Sequence, residues 1–282
     1  DNILWSAAPP LNEAGPEDAP VPVGGSAGQF REEADGIAVL QWNDLSALEA
    51  RLAEGDIAGV VMEPAMCNQG AIAPLPGYLE GALAACRRYG AILVFDEVIT
   101  GFRLHAGGAQ ALFGVTPDLS IFAKGIANGF PLAAIVGRAD LIDRFATGGV
   151  LHGGTFNAQP VAIAAMLATQ RELTPGHYEQ TGAQGRRLQD GIRDILKSAG
   201  IDAIVTGFPL VFHVALGLSE APRNWRGVAR RDHAAYVRFT HALLKRGVRS
   251  LERGAWFVSA AHGADVIDET LDAVRAAARD IA

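Results

Sequence analysis

Lysine occupies only three of the 24 basic positions in this chain, Lys124, Lys197 and Lys245, so each amine can be judged by its neighbours. Lys197 lies in Arg187–Ala199, where Leu188, Ile192, Ile195 and Leu196 recur at helical spacing, and it shares the polar side with Asp190, Arg193 and Asp194. Lys245 closes a second amphipathic stretch, Arg230–Arg246, just before Gly247, where a cation suits the negative helix end. Both read as solvated surface lysines. Lys124 differs. It joins a β-prone apolar run, Leu119–Ala123, to the loop Gly125–Pro131. Two readings stay open there: a desolvated amine of lowered pKa, competent as a nucleophile toward carbonyls, or a lysine snorkelling from a strand end.

Asp96 and Glu97 end the continuous apolar run Gly90–Phe95, which reads as a buried parallel strand. Acids at the carboxyl end of such a strand lie where open α/β sheets place their ligands, although a solvated or capping acid is the alternative. Ala58–Glu63 is a second apolar run ending in an acid, and Leu79–Tyr89 between the two is helix-like. An amine and an acid on neighbouring strand ends suit pyridoxal phosphate. That cofactor needs a lysine to hold it as a Schiff base and an acid to keep its ring nitrogen protonated.

Longer motifs sharpen this. Val94-Phe95-Asp96-Glu97-Val98-Ile99-Thr100-Gly101-Phe102-Arg103 is followed by Gly114-Val115-Thr116-Pro117-Asp118-Leu119 and Ala123-Lys124-Gly125-Ile126-Ala127-Asn128-Gly129. Glu63-Pro64 with Asn68-Gln69-Gly70, and Gly153-Gly154-Thr155-Phe156-Asn157-Ala158-Gln159-Pro160, complete the set. In this order the motifs resemble a class III aminotransferase of PLP fold type I, and within that class the glutamate-1-semialdehyde 2,1-aminomutase subgroup. The resemblance runs from about residue 37 to the end.

The resemblance implies that Lys124 forms the Schiff base and shuttles the proton, and that Asp96 pairs with the pyridine nitrogen. Val98 would pack on the ring, Asn68 would bond the phenolic oxygen, and Thr155 would reach the cofactor phosphate of a neighbouring subunit. Val98 as plain core and Thr155 as a cap for the helix starting near Pro160 are the alternatives. Glu63 is read as an acid contacting or gating the site, or as half of a structural salt bridge. Near Arg253-Gly254-Ala255-Trp256-Phe257-Val258-Ser259 the aminomutase pattern has a glutamate where Gly254 stands. Arg253 beside it would bind a substrate carboxylate, or is a surface arginine at a strand start. This departure favours transfer between two substrates over an internal aminomutase reaction. A catalytically silent fragment is the third reading.

The elements that must position these residues follow from pattern and composition. The expected fold is α/β, with a partial, mostly parallel large domain over 37–175 and a smaller α+β domain over 176–282. Residues 1–36 are expected to form a loop-rich leading segment. Ala203–Leu216 and Trp256–Ala261 are expected as strands, with helices around 186–199, 230–246 and 265–281 covering one side. The chain opens at Asp1, without the family's phosphate-binding turn and stacking aromatic, so the numbering is expected to start inside a longer or processed polypeptide. At 282 residues and net charge −7, the composition points away from nucleic-acid partners. No apolar run nears the ~20 residues of a membrane helix. Two cysteines, Cys67 and Cys86, form neither a disulfide framework nor a zinc motif. Composition and cysteine usage set a cytoplasmic compartment and no metal as the expectation, and the resemblance implies a homodimer with shared sites acting on a small-molecule amino donor and acceptor.

Overall fold

The structure, a computed structural model, describes residues 5–282; positions 1–4 of the leading segment and the Arg31 side chain lie outside the described residues. Two sheets organise the chain. The first comprises β1 (Gly59–Met62), β2 (Ile92–Asp96), β3 (Leu119–Phe122) and β4 (Ala134–Gly137), in that spatial order. β1, β2 and β3 run parallel, and β4 returns antiparallel to β3. Between the strands lie α1 (Leu45–Leu52) ahead of β1, α2 (Tyr78–Tyr89) and α3 (Gly108–Phe113). α2 ends on Gly90 in the left-handed conformation and buries Leu79, Ala82, Ala85 and Cys86 against Leu93 and Phe95.

After β4 come the short α4 (Ala139–Ile142) and α5 (Arg144–Thr147), then α6 (Pro160–Glu172) and α7 (Pro175–Ser198). Both longer helices have proline at the first turn and a side-chain cap: Gln159 accepts from the Ala162 N–H, and Thr174 from the His177 N–H. The second sheet is the antiparallel set β5 (Ala203–Phe208), β6 (Val211–Leu216) and β7 (Ala255–Phe257). α8 (Trp225–Ala229) and α9 (His233–Leu244) intervene before β7, and α10 (Ala264–Ile281) ends the chain. Leu188, Ile192 and Leu196 of α7, Tyr236, Phe239 and Leu243 of α9, and Ile267 and Val274 of α10 share one core with β6.

The stretch 203–216, expected as one strand, is a hairpin turning at Pro209-Leu210, because proline cannot donate to a ladder. β7 is shorter than the expected 256–261 run. The leading segment is irregular up to a 3-10 turn at Arg31–Gly36. No helix among the described residues is long and apolar enough to cross a membrane.

The leading segment is fastened to α8. Arg226 is buried, and its Nη2 donates to the carbonyls of Ala14, Gly15 and Pro16 at 3.0, 2.8 and 3.1 Å. Charge-assisted bonds to buried carbonyls cost about 2–3 kcal/mol when the donor is removed. Arg226→Met should therefore free residues 10–20 for cleavage by a nonspecific protease while the two sheets stay resistant. Unchanged cleavage kinetics in that segment would refute the tether.

Candidate active site

Parallel pairing brings three strand ends to one edge of the first sheet. Met62 pairs with Phe95 and Asp96 with Ile121, so Glu63, Asp96 and the turn carrying Lys124 finish beside one another. Neighbouring strands lie about 4.8 Å apart, within the range where their charges interact. Asp96 is half-buried, and its Oδ1 accepts the Val98 N–H at 2.9 Å; Oδ2 has no protein partner among the described residues. This self-made turn is the local role the sequence left open for Asp96, and it holds one carboxylate oxygen while leaving the other uncommitted. Val98 is half-buried.

Lys124 opens a 3-10 turn, Lys124–Ala127, at φ +47, in the left-handed region that non-glycine residues avoid at a cost of about 1–2 kcal/mol. Packing holds it there. Ile126 and Ala127 are buried with Phe122 against Met166 of α6, and Gln170 Nε2 donates to the Ile126 carbonyl. Gly101 lies behind: a Cβ at that position would come within 2.4 Å of the Phe122 ring and 2.6 Å of the Glu97 carbonyl, so only glycine fits. Of the two readings for Lys124, burial fails, because the side chain is exposed. Lys197 and Lys245 are exposed as well, on α7 and just past α9.

Glu63 forms no salt bridge among the described residues. Its Oε2 accepts the N–H groups of Cys67 and Asn68, both at 3.0 Å. Burial pushes this carboxyl up to about 7; the Asn68 N–H bond opposes the rise, Asp96 adds to it, and the Cys67 N–H and Lys124 oppose it further. The Asn68 side-chain amide is half-buried and has no partner among the described residues.

Thr155 and Arg253 are exposed and make no side-chain bond among the described residues. Thr155 does not cap α6, since Gln159 takes that position. Leu151 and Phe156 flank Thr155 at 98% and 82% exposure.

Three features escaped the sequence. Glu97, fully buried, accepts from the Thr100 hydroxyl and from the Ala109 and Gln110 N–H groups, and so anchors the start of α3 to the turn after β2. Next to Asp96, it had only the pattern of two adjacent acids to mark it. Tyr178 of α7 donates to the Phe102 carbonyl at 2.9 Å. His213 of β6 is 2% exposed, and its Nε2 donates to the Arg253 carbonyl at 2.8 Å. Its ring fills the space beside Gly254, which sits at φ +102; a Cβ there would lie 2.3 Å from His213 Nε2. The absence of a side chain at 254 is thus a packing requirement of this chain.

The family model described as Aminotransferase class-III matches residues 25–273. The chain is 38% identical over 268 residues to a glutamate-1-semialdehyde 2,1-aminomutase of Methanothrix thermoacetophila, covering 94% of this chain and 62% of that protein. It is 41% identical over 262 residues to the protein of that name from Bordetella avium, covering 89% and 60%. The chain therefore spans about three fifths of the length of these relatives. Among solved structures it is similar to an omega-transaminase from Sphaerobacter thermophilus, with TM-score 0.88 and 31% identity over 98% of this chain and 64% of that one. It is also similar to a glutamate-1-semialdehyde-aminomutase from Pseudomonas aeruginosa PAO1, with TM-score 0.81 and 26% identity over 94% and 61%.

His213 yields a pH prediction. Burial pulls its pKa from 6.5 down to about 4, so below pH 6.5 the unfolded chain takes up a proton that the folded chain refuses. The stability this neutral imidazole permits is complete above pH 6.5 and is lost as pH falls toward 4, by about 3 kcal/mol. Urea unfolding of the wild type and His213→Gln at pH 7.5, 5.5 and 4.5 should show a steeper acid loss in the wild type. Parallel curves would refute it.

Proposed function

This chain belongs to the class-III aminotransferases and has the PLP fold type I architecture, and from that premise we propose that its β1–β3 edge takes pyridoxal 5′-phosphate. In the complete protein, this site would move an amino group from an amino-acid-like donor to a keto acid or aldehyde. The observation that carries the reading is Lys124: one exposed amine, held on strained backbone beside the ends of two strands that carry acids. The donor set fits the group. Lys124 offers an amine for its carbonyl carbon, Asp96 an uncommitted carboxylate oxygen for its ring nitrogen, and Asn68 an unpaired amide for its phenolic oxygen.

When bound, the cofactor supplies a protonated pyridinium that acts as an electron sink. The chain's own residues do the rest. Asp96 keeps the proton on the ring nitrogen, its carboxylate steadied by the Val98 N–H, while Val98 offers an apolar contact for the ring. Lys124 Nζ would hold the cofactor at its carbonyl carbon until the donor's amine displaces it, and the freed amine would then take the proton from the donor's α-carbon and deliver it within the same site. Thr155 would bond a cofactor phosphate in a second copy of the chain, making the working form a C2 homodimer with shared sites. The exposed Leu151 and Phe156 beside it support that reading, because apolar side chains without neighbours gain about 25 cal/mol per Å² when covered. We take 37–175 and 176–282 as the two domains. Buried, unpaired Cys67 and Cys86 suit a reducing, cytoplasmic compartment.

The names of the two curated relatives favour a second reading, an aminomutase that moves the amino group within one substrate. Gly254 weighs against it: the His213 ring leaves no room for the glutamate of that pattern, and Arg253 beside it would then be the group that takes a substrate carboxylate.

Borohydride treatment of the cofactor-loaded protein, followed by peptide mapping, should put the label on Lys124. A label on Lys197 or Lys245 would overturn the assignment, and Lys124→Ala should take up none. Turnover should require an added keto acid or aldehyde acceptor. Full turnover of glutamate-1-semialdehyde without one would select the aminomutase.

A further inference from the structure

The loop from Glu63 to Ile72 has three fastenings. Met66 and Ile72 exchange backbone bonds of 3.0 and 3.3 Å, and Thr206 Oγ1 of β5 donates to the Gly70 carbonyl at 2.6 Å. The first joins the two halves of the loop and the second holds the far half, where Ala71 is left-handed at φ +48. The near half, which carries Asn68, has a different fastening: the Cys67 and Asn68 N–H groups both reach Oε2 of Glu63 at 3.0 Å, the Cys67 N–H being shared with the Ala65 carbonyl at 2.7 Å, whereas the Asn68 N–H goes to Glu63 alone. Glu63 is itself fixed at its backbone, where the Trp42 indole N–H donates to the Glu63 carbonyl at 3.0 Å. Its second oxygen, Oε1, has no partner among the described residues.

We propose that the Glu63 carboxylate is a clamp that holds the Cys67–Asn68 turn in its deprotonated form, and that through this turn it positions the Asn68 amide. The role of that amide toward the cofactor rests on the function proposed above; the clamp does not. The chemistry is specific to the ionised acid. Two N–H groups aimed at one oxygen make charge-assisted bonds, and a neutral carboxyl is a weaker acceptor. The titratable groups facing Glu63 are Asp96 from β2, Lys124 from the turn after β3 and the buried Cys67 thiol of its own loop, which burial keeps protonated; Asp96 opposes ionisation and Lys124 favours it. With burial dominant, the balance falls near neutrality. The grip on Asn68 therefore loosens as pH drops below about 7 and tightens above it. In this arrangement Glu63 is a positioning residue that acts through Asn68.

The test begins without cofactor. In ¹⁵N–¹H spectra of the cofactor-free protein, the Cys67 and Asn68 backbone amides should titrate together between pH 5.5 and 8.5. In Glu63→Gln, whose side-chain carbonyl still accepts the two N–H groups, they should stay flat. Amides that do not move in the wild type, or that titrate equally in Glu63→Gln, overturn the clamp.

The second arm uses the cofactor-loaded protein. Glu63→Ala should shift the absorbance maximum of the bound cofactor and lower kcat on the order of a hundredfold with a smaller change in KM, as displaced positioning groups do. Glu63→Gln should keep the absorbance maximum and lose the inflection of kcat near pH 7. If the amides titrate as expected but Glu63→Ala leaves the absorbance unmoved, the clamp stands and the assignment of Asn68 to the cofactor fails. Should Glu63→Ala not fold, the Glu63→Gln comparison decides the clamp alone.

Discussion

Three strand ends must finish level if Glu63, Asp96 and Lys124 are to meet, and parallel pairing sets that level. In the register Met62 to Phe95 and Asp96 to Ile121, a slip of one residue would turn Asp96 to the opposite face of the sheet. The register is protected from both sides. Leu93 and Phe95 are fully buried against α2, and Asp118, just ahead of β3, accepts the Leu93 N–H at 2.9 Å through a buried carboxylate that also takes Arg138. Beyond the strands, Glu97 repeats the device on the turn after β2. Its carboxylate takes up the free N–H groups at the start of α3, where the helix dipole favours a negative charge. Neighbouring acids thus do opposite work: Glu97 is saturated and structural, while Asp96 keeps an oxygen free.

The second sheet packs against this edge as well as folding on its own core. Thr206 of β5 bonds the loop beyond Asn68, Phe113 after β2 meets Phe208 of β5, and the Arg103 guanidinium stacks 4.8 Å over the Phe257 ring of β7. Arg103 has no acid partner among the described residues, and burial lowers its pKa; the aromatic face offsets part of that desolvation. The turns around the lysine are therefore framed by elements distant in sequence. That explains how a chain can hold Lys124 in a backbone region costing 1–2 kcal/mol: the penalty is small against the burial of Ile126 and Ala127 under α6.

Period and punctuation made the strands and long helices legible. Apolar runs ended by acids marked β1 and β2, and the leucine–isoleucine stripe marked α7 from residue 187. Its first three turns were hidden because Gly176, Gly182 and Gly185 dilute the stripe. The hairpin at Pro209 was hidden because both of its strands are apolar, so no polar interval separates them. β4 was missed for a similar reason: it is four residues long and lies beside glycine and proline. At the site, motif order singled out Lys124, Asp96 and Asn68 as candidates, but not how they are held. The clamp on Asn68 comes from a carboxylate five residues earlier, and the exclusion at Gly254 from a histidine 41 positions away. Neither relation has a period, so only the folded backbone reveals it.

Charge balance joins these parts. Two acids, Glu63 and Asp96, stand beside one amine, Lys124, at a partly desolvated edge. An edge carrying two negative charges and one positive charge has an uncompensated charge, which is costly wherever water is excluded. Glu63 accommodates the excess in two ways. Its N–H partners spread the negative charge into a turn, and its raised pKa lets it give up that charge near neutrality. Asp96 has one backbone N–H on Oδ1 and keeps Oδ2 without a protein partner among the described residues. The division of labour between these carboxylates follows from what surrounds each one. Glu63 sits in a buried turn closed by backbone donors, and Asp96 sits at a strand end with one oxygen left open.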